Sequence, residues 1–252
     1  MATVLAALDN SLAVNPVLVM ARALARALGG GVQAIHVAGE GAEAAVDATR
    51  AAGVPLRLDQ GPVVDRLAAS ADDPDVAALV IGARGTTRSG HPLGSTALAV
   101  VTSITAPVVV VPPAANVASR LQRVLVPLDA ESAVLEPHAL VQLADASEVE
   151  VTVLDADGLA GDEDSSRELL ERYCPWGIGR VQLERRAGAR EEVVASAAME
   201  DEVDLVALGW AKQLSDGRAP TVLAALERAK IPVMLIPVKV EGEVDGGADR
   251  HI

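Results

Sequence analysis

The sequence predicts an α/β fold written twice: two doubly wound parallel-sheet domains in tandem, each with five strands and about four helices. Three observations lead there. Strand-like apolar runs alternate with segments of helical period, which implies right-handed crossovers and helices on both faces of a sheet. Five segments recur in one order at offsets of 120 to 127 residues. Half of the 252 residues are apolar while only 1% are aromatic, so the core is built from Ala, Val, Leu and Ile, which suit buried parallel strands.

The repeats fix the order of elements. Thr3-Val-Leu-Ala-Ala-Leu-Asp9 returns as Arg123-Val-Leu-Val-Pro-Leu-Asp129, an apolar strand ending in aspartate each time. Pro16 and Pro137 follow, each at the first turn of an expected helix, where proline costs no hydrogen bond. Val17, Met20, Leu24 and Leu28 then share one helical face, and Gly29-Gly30-Gly31 ends that helix before a strand over Val32 to Val37. Next come a helix over Ala42 to Ala52, a short strand near Leu56 to Leu58, a helix over Val63 to Ala71 and a strand over Val76 to Ile81. A helix from about Ser95 to Thr105 and a strand over Val108 to Val111 complete the first half. Gly61-Pro-Val-Val-Asp-Arg-Leu is matched by Gly188-Ala-Arg-Glu-Glu-Val-Val, and Asp75 to Gly82 by Val203 to Gly209. Both halves close alike, with Ala106-Pro-Val-Val-Val-Val-Pro112 and Ile231-Pro-Val-Met-Leu-Ile-Pro237. The expected domains are 1–118 and 119–239, with a linker over 113–121 and an acidic, disordered tail at 240–252. The valine-rich last strands would leave unpaired edges, so the halves are expected to pair along them as an internal pseudo-dimer. The sequence leaves open whether tandem chains then form a homodimer.

Charge and composition exclude several classes. A net charge of −14 argues against nucleic acid as a partner. Residues 1–118 carry only −2 of it, so an anionic ligand favours the first half. No apolar run reaches the roughly 18 residues of a membrane helix, and Met1 leads into a strand-like run in place of a signal segment. The expectation is a cytoplasmic protein without a membrane partner. Cys174, the single cysteine, reads as a partly buried thiol beside Tyr173 and Trp176, and no metal site is expected.

Ligands of such sheets bind beyond the strands' carboxyl ends, where strand order reverses. After the fourth strand runs Gly82-Ala-Arg84-Gly85-Thr-Thr-Arg88-Ser-Gly-His91-Pro-Leu-Gly94-Ser95-Thr96. Glycines leave backbone N–H groups open to an anion, and a helix start adds free donors. Ser95 and Thr96 add hydroxyls or cap the helix, and Arg84 and Arg88 add charge. A crossover also favours Gly and Ser on its own account, so the loop alone is equally compatible with a plain turn. Asp9 reads as a ligand contact or a turn former. His36 reads as a satisfied core or rim residue, and His91 as a phosphate contact or a turn-shaping residue. His138 has no evident partner. The pairs Asp72-Asp73 and Glu191-Glu192, with Asp162-Glu-Asp164, read as solvated surface. No nucleophile-and-base arrangement is present, nor a Gly-x-x-x-x-Gly-Lys-[Ser/Thr] loop, so any ATP hydrolysis is expected to be slow.

From the strand ending in Asp9, through Val32-Gln-Ala-Ile-His-Val37, to the Pro-Val-Val-Val-Val-Pro finish, the first half resembles the universal stress protein family. Nucleotide-binding members carry Gly, two residues, Gly, nine residues, then Gly and Ser or Thr. Gly82, Gly85, Gly94 and Ser95 fit that pattern with eight residues in the long gap. The resemblance implies an adenine-nucleotide alpha-hydrolase-like fold and a role in stress-response signalling. It implies ATP or a related adenine nucleotide, with or without Mg. By position, Gly82, Arg84, Gly85, Gly94, Ser95 and Thr96 would hold phosphates, Asp9 would lie near ribose and base, and Val37 would offer backbone to the base. The second half has Gly209-Trp-Ala-Lys212 at the same place, and neither a second glycine nor a Gly-Ser pair. It reads as structural or regulatory, with anion binding by Lys212 and Arg218 left open. Two rival readings remain: a scaffold of this fold that binds no nucleotide, and an enzyme acting on an adenylated substrate.

Overall fold

The computed structural model describes the chain apart from residues 1, 10, 12, 39–40, 84–92, 114, 129–137, 147, 156–162, 174–180, 198, 201, 211–218 and 238–252. Arg84, Gly85, Arg88, His91, Asp129, Pro137, Asp162, Cys174, Trp176, Lys212, Arg218 and the tail at 240–252 therefore lie outside the described residues.

The first half runs β1 (Thr3–Ala7), α1 (Val14–Ala27), β2 (Gly31–Ala38), α2 (Glu43–Ala52), β3 (Leu56–Gln60), α3 (Val63–Ala71), β4 (Val76–Gly82), α4 (Ser95–Ser103) and β5 (Val108–Val111). The second runs β6 (Arg123–Leu128), α5 (His138–Asp145), β7 (Glu150–Asp155), α6 (Glu163–Tyr173), β8 (Val181–Arg185), α7 (Arg190–Ala197), β9 (Leu205–Trp210), α8 (Ala219–Arg228) and β10 (Val233–Pro237). All ten strands form one sheet in the order β3-β2-β1-β4-β5-β10-β9-β6-β7-β8. Each half is the same permutation of five parallel strands, mirrored about the β5–β10 seam. Residues 113–121 cross between the halves without forming a helix or strand among those described.

Strand alternation sorts the core into two layers. Val4 and Ala6 of β1 pack with α1, Ala45 of α2 and Leu140 and Leu143 of α5. Leu5 faces the other way, toward Leu67 of α3, Val100 of α4, Val194 of α7 and Val222 of α8. Each layer continues across the seam, so the halves share their apolar interior. The seam pairs Val233 with Val110, Met234 with Val109 and Leu235 with Val108, antiparallel. Val108 and Val233 hold equivalent registers, against Leu79 and Val206 respectively. The pairing is thus self-complementary, with a pseudo-two-fold axis at Val109 and Met234.

Several elements match their sequence boundaries, including α3 and β5. Val17, Met20, Leu24 and Leu28 are all buried on α1, as their spacing requires. Gly61 and Gly188 have φ of 121° and 154°, so the repeat keeps glycine where the chain adopts a backbone other residues avoid. Gly30 is needed for another reason: a Cβ there would overlap the Ala2 carbonyl. Two expectations need correction. The first strand stops at Ala7, so Asp9 lies beyond it and not at its last position. The fourth helix stops at Ser103, because Ile104 turns extended and is fully buried.

Candidate functional site

Strand order reverses in the first half between β1 and β4. At the carboxyl ends there a cavity of about 450 Å3 opens. Its rim includes Asp9, Val37, Gly82, Gly94, Ser95 and Thr96, six residues selected from the sequence and separated by up to 87 positions. Its apolar wall is formed by Ile35, Ile81, Val63 and Leu67 of α3, and Ala97 and Val100 of α4.

Local hydrogen bonds explain how the chain brings these together. Past β1, the Leu8 N–H donates to the Ile35 carbonyl at 2.9 Å. The Leu8 carbonyl accepts from Nδ1 of His36 at 2.8 Å. Asp9 then forms a turn, its Oδ1 accepting the Ser11 N–H at 2.9 Å, and Ser11 Oγ accepts the Ala13 N–H at 3.1 Å. Asp9 is thus a turn former that also lines the cavity. On the opposite rim, the Ala83 N–H donates to Val111 and the Gly94 N–H to the Ala83 carbonyl, both at 2.8 Å. The stems of the glycine loop are therefore tied together where α4 starts.

Ser95 and Thr96 are exposed at that start, and the position before the helix, Gly94, makes no side-chain cap. Capping by Ser95 or Thr96, one of the expectations, does not occur: both lie inside the helix, whereas a cap must precede it. His36 is 5% exposed and only half satisfied, since its Nε2 is buried with no hydrogen-bond partner among the described residues. The expectation of a satisfied histidine needs that correction, and nothing in the residue pattern signals the orphaned nitrogen.

The helix that forms one wall is held by charge. Arg66 of α3 grips Asp59 at the end of β3 with bonds of 2.9 to 3.1 Å. This guanidinium first, and the Gln60 N–H next, hold the Asp59 carboxyl below its ordinary value of 3.8. Asp72, Asp73, Glu191 and Glu192 are exposed, in line with a solvated surface.

Residues 40–112 match the Universal stress protein family. The match lies within the first half of the chain. No curated protein matches the chain. Among solved structures, a universal stress protein from Archaeoglobus fulgidus DSM 4304 is 15% identical with a TM-score of 0.62, covering 93% of this chain and 96% of that one. A functionally unknown protein from Pseudomonas aeruginosa PAO1 is 11% identical with a TM-score of 0.65, covering 93% and 92%. The cytoplasmic domain of a prokaryotic cation chloride cotransporter is 10% identical with a TM-score of 0.54, covering 93% and 94%. At these identities the likeness establishes the α/β fold along the whole chain. The segment that matches the family, residues 40–112, contains Gly82, Gly94, Ser95 and Thr96 of the cavity rim. Among the described residues no helix is long and apolar enough to cross a membrane.

The second half changes the equivalent positions. With Val108 and Val233 superposed, Gly94-Ser95 corresponds to Ala219-Pro220 and Ala97 to Val222. Pro220 has no N–H to offer an anion. Val222 is buried and larger than alanine, and Thr221 is buried where Thr96 is exposed.

Proposed function

We propose that residues 1–118 form a domain that binds ATP or a related adenine nucleotide, and that the chain acts in stress-response signalling. Residues 119–239 form a second domain of the same fold whose degenerate loop leaves it structural or regulatory. The observation that carries this reading is the cavity at the β1–β4 reversal, with Gly82, Gly94, Ser95 and Thr96 on one side and Asp9 and Val37 on the other. The start of α4 lacks a side-chain cap, and its first N–H groups have no acceptor within the helix, which suits a phosphate oxygen. Asp9 accepts the Ser11 N–H with Oδ1, and its Oδ2 is the oxygen assigned to a ligand hydroxyl in this reading. The apolar wall of Ile35, Val63, Leu67 and Ile81 suits a flat base. Arg84 and Gly85 enter through the resemblance alone. The near-neutral first half repels an anion less than residues 119–252, which carry −12.

Mg, where it accompanies the phosphates, would be held by them, because the described residues contain no cluster of three metal-ligating side chains. Thermal unfolding of the full chain during ATP titration tests the proposal. Mid-micromolar binding that disappears in Gly94→Val supports it. An unchanged Tm at millimolar ATP overturns it and leaves an interaction scaffold, while steady turnover at enzyme-like rates points to an enzyme of adenylated substrates.

A further inference from the structure

We propose that His36 is a positioning residue for the first-half cavity: by donating from Nδ1 to the Leu8 carbonyl, it fixes the turn that presents Asp9 to the ligand. The inference rests on the nucleotide reading for the ligand's identity, and on hydrogen bonds alone for the turn.

Leu8 is the first residue beyond β1, and both of its backbone groups are tied to successive residues of β2. Its N–H donates to the Ile35 carbonyl and its carbonyl accepts from the His36 ring. A carbonyl only accepts, so the ring donates from Nδ1. Nε2 is buried and has no hydrogen-bond partner among the described residues, which disfavours histidine against an apolar side chain of similar size. The imidazole stands between Ile35 and Val37 in a strand where apolar residues would serve packing better. Among the described residues, the bond to Leu8 is the hydrogen bond of its ring that offsets the orphaned nitrogen. From that bond the order passes outward: Asp9 takes the Ser11 N–H, Ser11 takes the Ala13 N–H, and the Ala13 carbonyl takes the Val17 N–H in the first turn of α1. Asp9 lines the cavity, as do Leu8 and His36, and an Asp9→Ala background separates positioning through the turn from direct contact by the ring.

The second half supplies a contrast. Thr3 pairs with Gly31 and Arg123 with Glu150, so the register equivalent of His36 is Asp155 and that of Leu8 is Leu128. Asp155 is fully buried and has no ring N–H at this place. The half without the Gly-Ser helix start thus also carries a carboxyl group in place of the imidazole.

The test uses the full chain with His36→Leu, which removes the donor, and His36→Asn, whose amide N–H sits near the place of Nδ1. Amide hydrogen exchange of the ligand-free chain is followed at Leu8, Ser11 and Met234, and ATP affinity is measured by calorimetry. In His36→Leu, exchange at Leu8 and Ser11 is expected to rise about tenfold with Met234 unchanged, and ATP affinity to fall about three- to tenfold. His36→Asn restores both. In an Asp9→Ala background the same His36→Leu change costs no further affinity, which separates positioning from general stability. Unchanged exchange at Ser11 overturns the inference. So does uniform loosening that includes Met234 and is not rescued by Asn. Wild-type protein that binds no ATP removes the nucleotide reading, and the exchange data then decide the role of His36 alone.

Discussion

Replacing Ser95 by proline separates the anion cradle from the stability of the helix that forms it. Ser95 is the first residue of α4, where a backbone N–H has no acceptor within the helix, so proline removes no structural hydrogen bond. The preceding Gly94 has φ −66° and ψ 158°, the extended conformation that a residue before proline prefers. The folded state should therefore change by less than about 0.5 kcal/mol, a Tm shift within about 2 °C for a chain of this length. The ligand loses one backbone donor to a charged phosphate, worth about 1.5–3 kcal/mol, or roughly 10- to 150-fold in Kd. Ser95→Ala keeps the N–H and loses only the hydroxyl, and should weaken binding by no more than about tenfold. Calorimetric ATP titration of the three proteins, each checked by thermal unfolding, reads the difference. Binding by Ser95→Pro within threefold of wild type, at an unaltered Tm, would refute the placement of phosphate at α4. Pro220 already stands at this position in the second half.

Other outcomes follow from the fold. A fragment of residues 1–118 exposes the edge of β5 and should dimerise in antiparallel register about Val109, as light scattering would report; a stable monomer refutes the role given to the seam. Gly30→Ala forces a Cβ into the Ala2 carbonyl and should cost about 1–3 kcal/mol by urea unfolding, with a neutral result showing that β1 shifts freely. Asp59, whose folded carboxyl titrates below its ordinary value, stabilises the protein above pH 3.8 and loses that contribution as pH falls through the depressed value. The Tm gap between wild type and Asp59→Asn should accordingly be present at pH 7 and close in stronger acid. A gap that widens there contradicts the Arg66 bond as its source.

The period of the apolar residues carried most of the fold. Val63 to Ala71 and Val108 to Val111 have the same limits in sequence and structure because proline precedes each and an apolar pattern runs to the end. The valine-rich last strands, whose edges would otherwise stand unpaired, anticipate that the halves meet there. They did not contain the antiparallel direction of that meeting, which depends on the crossing of 113–121 and on self-complementary valines. At the candidate site, Gly82, Gly94, Ser95 and Thr96 were legible as a strand end and a helix start and Asp9 as a turn former, while Val37 entered through the family resemblance. The tie from His36 to Leu8 was not, because it joins residues 28 positions apart and a lone histidine in an apolar strand looks like packing. The end of α4 was misplaced for a similar reason: Thr105 donates to the Asp72 carboxylate at 2.7 Å, a partner 33 residues away.

The direction of the seam decides how the two copies can influence each other. Because β5 and β10 run oppositely, everything built on the tips of strands one to five points away from everything built on the tips of six to ten. An occupant of the first crevice is out of reach of its counterpart's loops. Any effect on the second copy must therefore travel sideways, through the strand rungs and the shared apolar layers at the midline. A protein that senses occupancy has two distant poles to read, and it can grip the unchanging one while testing the other.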